Sequence, residues 1–258
     1  MRRLAATLLV VSLVPLLACS SGGSRKPPGS SSDESNPLYS FTLMRQGSVL
    51  LQQGNYEEAL KRLEEADRHR PGNASVYNMI GLCHLRMGAY DLALASFNRA
   101  LDYIPAFTDA RNNRGATYLA MGQNHLAEVD FVSVLSDPTY PHRWQAYYNL
   151  GMTYLQRGQP GAAEENFRQA ANAASPVFDA FLRLAEIAQQ QGRTEAAIQW
   201  LEEAHFKFPE RSEGSMELGR LLWHLGRCPE ARPYLERVIS ADPGSQMATD
   251  ARSMLEGC

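Results

Sequence analysis

The sequence predicts an all-α fold, a solenoid of six helix-turn-helix repeats closed by a C-terminal capping helix. Three observations predict it. Segments beginning at Ser40, Ala74, Thr108, Trp144, Phe178 and Ser212 stack so that each carries glycine at its fifteenth position: Gly54, Gly88, Gly122, Gly158, Gly192 and Gly226. Each carries alanine at its twentieth: Ala59, Ala93, Ala127, Ala163, Ala197 and Ala231. Position eight is small throughout, as Gly47, Gly81, Gly115, Gly151, Ala185 and Gly219. With glycine at about 7% of residues, six in one register by accident has odds of roughly one in ten million, so the period belongs to the structure.

The chain ahead of these repeats has a different composition. Arg2 and Arg3 precede an apolar run over residues 4–17, which is interrupted by Pro15 and too short to span a bilayer. This is the pattern of a secretory signal over residues 1–18. Its end, Leu16-Leu17-Ala18-Cys19, resembles the bacterial lipobox, in which Cys19 receives a diacylglyceryl group and becomes the first mature residue. The other reading is ordinary cleavage after Ala18, which leaves a free thiol. Acylation (palmitate and related chains) implies anchoring, because each buried methylene contributes about 0.8 kcal/mol and two or more chains hold stably. Because position 20 is Ser rather than Asp, the resemblance to Gram-negative lipoproteins implies sorting to the outer membrane, facing the periplasm. Residues 19–37 then read as the lipidated cysteine and a flexible linker, with serine, glycine, proline and charge but no large apolar side chain.

Residues 38–258 form the repeat domain, divided as 40–73, 74–107, 108–143, 144–177, 178–211 and 212–245 with a cap over 246–258. Within each repeat, glycine at position fifteen ends helix A in a left-handed conformation at little cost. Small residues at positions eight and twenty let the two helices cross closely. Position twenty-four is large, as Leu63, Phe97, Phe131, Phe167, Leu201 and Leu235, and is expected to fill the space between one pair and the next. Pro71, Pro105, Pro209 and Pro243 at position thirty-two stop helix B. Departures are local. The third repeat is two residues longer, with Pro138 and Pro141 near its end, so a looser connection is expected before Trp144. Pro160 and Pro229 suit a first helical turn. Pro233 falls inside the last helix B, which is expected to begin late or bend. In the cap, Met247, Ala251, Met254 and Leu255 share one helical face and should cover the last pair.

These residues resemble the tetratricopeptide repeat (TPR), a helix-turn-helix unit of about 34 residues. The resemblance covers residues 40–245 and implies a right-handed superhelical solenoid that binds other proteins. In such a solenoid the cap runs parallel to the last helix A and brings Cys258 to the turn holding Cys228, so a Cys228–Cys258 disulfide is expected. Two unpaired thiols are the alternative. Cys83, mid-helix among apolar neighbours, reads as a buried small hydrophobe.

Catalysis has no support in the sequence. No nucleotide, zinc-protease or CxxC pattern occurs, and the six histidines lack ligand spacing, so neither cofactor nor metal is expected. His84, at a packing position, reads as a core histidine. The formal charge of −3 becomes −5 once Arg2 and Arg3 are removed, which argues against a nucleic-acid partner. In the TPR family the inner face of helix A lines a peptide-binding groove. The matching positions are Phe41, Met44, Leu51, Leu82, Leu85, Leu119, Tyr148, Met152 and Leu155, interspersed with Asn78, Asn112 and Gln145. Apolar groups on an exposed wall mark a binding surface, and the asparagines suit a partner's backbone. The last two repeats place Asp179, Glu186 and Glu213 beside Arg220 and Trp223.

Six repeats, a lipobox and paired C-terminal cysteines together resemble the pilotins of type IV pilus systems, the PilF/PilW/Tgl group, with the Tgl type closest. The resemblance implies a monomeric outer-membrane adaptor, not an enzyme, that binds the pilus secretin and promotes its multimerisation, so that pili and twitching motility depend on it. Scaffolds for peptidoglycan hydrolases and partners of the β-barrel insertion machinery share the same repeats and are the alternative.

Overall fold

The computed structural model describes residues 37–258. Cys19, the signal segment 1–18 and linker residues 20–36 lie outside the described residues. Among the described residues there are thirteen helices and no strand. The described residues divide into two compact units, the first ending at Thr153 and the second beginning at Tyr154.

The first unit holds α1 (Pro37–Gln52), α2 (Tyr56–His69), α3 (Ala74–Arg86), α4 (Tyr90–Tyr103), α5 (Thr108–Ala120), α6 (Asn124–Leu135) and most of α7 (Arg143–Gln156). Here α1–α2, α3–α4 and α5–α6 are antiparallel pairs. The B helices α2 and α4 each pack on their own A helix and on the next one, and α3 touches both α1 and α5. The second unit holds α8 (Pro160–Ala171), α9 (Phe178–Gln190), α10 (Thr194–Lys207), α11 (Ser212–His224), α12 (Cys228–Ala241) and α13 (Gln246–Glu256). Each of these packs on its successor, and α13 also touches α11.

The turn between paired helices repeats because its glycine repeats. The six glycines at position fifteen have φ between 68° and 79°, a region that a side chain makes costly by roughly 1–2 kcal/mol. Position eight shows the second constraint. A Cβ on Gly47 would lie 2.6 Å from Leu63, one on Gly81 2.5 Å from Phe97, and one on Gly219 2.6 Å from Leu235. The large residue at position twenty-four therefore lies over position eight of its own pair, where the sequence had suggested a filler between pairs. At these three positions a leucine or aromatic ring occupies the place a side chain would take, whereas the fifth repeat carries Ala185 opposite Leu201.

Three further expectations are corrected. α1 begins at Pro37, three residues ahead of the repeat register, and Ser40 donates its hydroxyl to the Ala66 carbonyl at 2.9 Å, fixing α1 against the end of α2. α12 runs from Cys228 without a late start; Pro233 sits in its second turn, where it removes one donor from the ladder. The connection after α6 is not loose. Tyr140 is 7% exposed and donates to Asp109 at 2.8 Å, while Asp137 accepts from both Thr139 N–H and its hydroxyl.

The cap is built as a helix with its own start signal, the Ser245 hydroxyl accepting from Ala248 N–H at 3.1 Å. Ala248 and Ala251 are fully buried, and Met247, Met254 and Leu255 pack with Leu235 and Val238. Cys228, the first residue of α12, is joined to Cys258 by a disulfide with Cα atoms 5.6 Å apart.

Candidate functional site

The A helices of the first unit carry almost every residue expected to line a groove. Phe41 is 55% exposed, and Met44, Leu51 and Asn78 are half-buried. Leu82, Leu85, Leu119, Tyr148 and Met152 are buried, contrary to an exposed wall, and so is Asn112. Leu155, in the second unit, is half-buried. For Leu82 and Leu85 the cause is direct: they cluster with Ala93 and Phe97 of α4, and Leu51 of α1 packs against the cluster. Their leucines join successive repeats. The open apolar part of the wall therefore lies toward α1, at Phe41 and Met44, and charged substitutions at Leu82, Leu119 or Tyr148 would disrupt packing before they reported on binding.

Polar groups in the same wall are unusual. Asn113 donates its amide to Asn78 Oδ1 at 2.9 Å, linking α5 to α3. Asn112 and Gln145 are completely buried, and neither end of either amide has a hydrogen-bond partner among the described residues. An unsatisfied buried polar group costs about 1–3 kcal/mol, so these two side chains hold unused donors and acceptors inside the wall. Gln145 and Asn112 are at expected groove positions, while Asn113 is not among them. The usable signal was a run of amides, Asn112-Asn113, on a helix whose neighbours are apolar.

Other sequence-marked residues have ordinary surroundings. Burial pushes the Cys83 thiol up to about 12, which keeps it protonated. His84 is half-buried and does not belong to the core; desolvation lowers its pKa against the pull of Glu64. In the second unit Arg220 pairs with Glu217 at 2.8 Å, Glu186 with Arg183 at 2.8 Å, and Glu213 with Arg211 at 3.1 Å, so these charges are local helix and turn pairs. No group of His, Cys, Asp and Glu able to hold a metal occurs among the described residues, and none of their helices is long and apolar enough to cross a membrane.

The tetratricopeptide repeat family model matches over residues 44–111, 112–177, 148–209 and 182–246. The chain belongs to the tetratricopeptide repeat family. Its fold is the all-α TPR solenoid. Curated proteins give no match to this TPR chain. Among solved structures, it is similar to that of Pseudomonas aeruginosa PilF, with 20% identity over 84% of this chain and 97% of that one, and a TM-score of 0.68. PilW, described as a widely conserved type IV pilus biogenesis factor, gives 21% identity over 83% and 98%, with a TM-score of 0.70. YrrB, described as a TPR protein with an unusual peptide-binding site, gives 17% identity over 74% and 97%, with a TM-score of 0.52. At these identities the likeness is one of fold.

Proposed function

We propose that this TPR chain is a pilotin-type adaptor of the PilF/PilW/Tgl group: a lipoprotein held on the outer membrane through Cys19 that binds the type IV pilus secretin and promotes its multimerisation. It acts without catalysis, as a holder of a client segment. The observation that carries the reading is the open apolar part of the A-helix wall, where Phe41 is 55% exposed beside the half-buried Met44. An exposed aromatic ring on the inner face of a helical repeat offers a client segment an apolar contact. The likeness of fold to PilW, a type IV pilus biogenesis factor, supports a role in pilus biogenesis; the secretin as client is part of the proposal.

Two experiments test it. In a deletion strain, secretin multimers and pili are expected to be lost while other β-barrels and the cell wall stay intact; normal secretin multimers would remove the pilotin reading. With the full chain, Phe41→Asp is expected to weaken secretin capture without changing the melting temperature, because Phe41 is mostly exposed. Undiminished capture by this variant would move the client elsewhere.

A further inference from the structure

Each helix A of the first unit follows a helix B except α1, and the repeat register shows what that leaves bare. Positions three, six and ten are buried in α3, as Val76, Met79 and Cys83, and in α5, as Ala110, Asn113 and Thr117. α2 packs on α3 and α4 on α5, so the preceding helix B supplies the cover. Position six also reaches the preceding helix A, since Asn113 donates its amide to Asn78 at 2.9 Å. A glycine shows how close helix B comes. In the second unit Gly214 holds position three of α11, and a Cβ there would lie 3.5 Å from the backbone nitrogen of His205 and 3.6 Å from the Ala204 carbonyl carbon, both in α10. The covering helix is correspondingly small at position twenty-seven, which reads Ala66, Ala100, Val134, Ala170, Ala204 and Val238, all buried.

In α1 the same three positions are Thr42, Arg45 and Val49, and all are exposed, Val49 to 46%. Leu38, 67% exposed, extends the set by one turn. Residues 38, 42, 45 and 49 fall at i, i+4, i+7 and i+11, the spacing of the seam between two paired helices. They form one narrow stripe about 17 Å long at 1.5 Å per residue. Among the described helices α1 packs on α2 and α3, and this stripe stays open.

The chemistry of the stripe is specific. Arg45 is the only charged residue of α1, and no carboxylate among the described residues pairs with it. The neighbouring α2 keeps its charges among themselves: Lys61 pairs with Glu58, and Arg62 with Glu58 and Glu65. Thr42 donates its hydroxyl to the Leu38 carbonyl of its own helix at 2.8 Å, so it asks nothing polar of a neighbour. The stripe therefore reads apolar, small, cationic, apolar. A second copy of the chain does not match it. Its last helix B, α12, is already covered by α13, and α1 laid on α1 would set two Arg45 side chains together with no carboxylate between them. Residues 20–36 do not match it either, having no large apolar side chain for Leu38 or Val49.

We propose that Leu38, Thr42, Arg45 and Val49 form a docking seam for one helix of a partner protein, laid antiparallel on α1 where a preceding helix B would lie. The partner helix brings large apolar side chains to Leu38 and Val49, an alanine to Thr42 and a carboxylate to Arg45. Phe41 and Met44, on the inner wall, are not part of the seam, so it stands or falls apart from the client reading.

The probe is a fluorescent synthetic helix of about five turns with leucine, glutamate, alanine and leucine at i, i+4, i+7 and i+11 and neutral helix formers elsewhere. Its counterpart carries lysine in place of the glutamate. Anisotropy with the full chain is expected to show binding of the glutamate helix that weakens at least about tenfold in Val49→Glu. In Arg45→Glu it is expected to weaken at least about threefold, the scale of an exposed ion pair, while the lysine helix binds that variant better than it binds the wild type. Val129→Glu, an exposed site on α6, is expected to leave binding unchanged. Val49 and Arg45 are exposed, so both variants are expected to melt as the wild type. The proposal is overturned if the glutamate helix fails to bind, if Val49→Glu or Arg45→Glu binds it as the wild type does, or if Val129→Glu loses it. Sedimentation showing a dimer that Val49→Glu dissociates would assign the seam to a second copy. Binding that appears only after Asp33→Asn with Glu34→Gln would assign it to the chain's own residues 20–36. Either result overturns the proposal equally.

Discussion

The tightest approach in the first unit is that of α3 to Phe97, and Gly81→Ala tests whether this approach is what selects glycine. The added Cβ would lie 2.5 Å from Phe97 Cε1 and 2.7 Å from Cδ1. Phe97 is fully buried and packed with Leu82, Leu85 and Ala93, so its ring has no free volume to enter. Overpacking of this kind costs about 1–3 kcal/mol, while alanine returns about 0.5–1 kcal/mol of helix preference. The net expectation is a loss of about 1–2 kcal/mol, or a Tm lower by about 2–8 °C. Thermal and urea unfolding of the full chain followed by far-UV circular dichroism reads it. A second substitution gives the sign of the cause: α9 and α10 hold Ala185 and Leu201 at the equivalent positions, so Phe97→Leu in the Gly81→Ala background is expected to recover part of the loss. If Gly81→Ala melts at or above the wild-type temperature, close approach is not the reason for the glycine.

Three other predictions follow from described contacts. Cys258→Ser opens a loop with a sequence separation of 30 and is expected to lose about 3–4 kcal/mol of cross-link stabilisation, seen as faster hydrogen exchange in α13 with α1–α6 unchanged; unchanged exchange in α13 would count against the cap depending on that bridge. Unfolded but unreduced mature protein is expected to show one reactive thiol, Cys83, which stays unmodified in the native state at mildly alkaline pH because burial pushes it up to about 12; rapid native labelling would contradict this. His84 and His205 both have pKa values held below the ordinary 6.5, chiefly by desolvation, so the folded state favours their neutral forms. Their contribution is present above the unfolded pKa and is lost as pH falls from that value through the lower folded pKa, and His84→Asn with His205→Asn is expected to flatten the acid limb of a stability-against-pH curve.

The repeat was legible because glycine at position fifteen answers a backbone requirement, and all six glycines adopt the positive φ that the register implies. Position twenty-four was misplaced because a periodic pattern shows that Phe97 points inward without showing which helix it meets. The same gap explains the groove. A leucine at a fixed helical spacing looks alike whether its neighbour is solvent, as for much of Phe41, or another repeat, as for Leu82. The connection after α6 read as loose from its two prolines, while the residue that secures it, Tyr140, acts through a partner thirty-one positions earlier that no local pattern reveals.

A row of repeats opens most readily from whichever extremity has fewest neighbours. In the second unit the outermost helix is stapled to the very repeat it shelters, so peeling from that side must first carry along α12. In the first unit α1 is fastened without a covalent link, the Ser40 hydroxyl donating to the Ala66 carbonyl and the Tyr39 hydroxyl to Glu65. Within the second unit the capped side is consequently the slower to open.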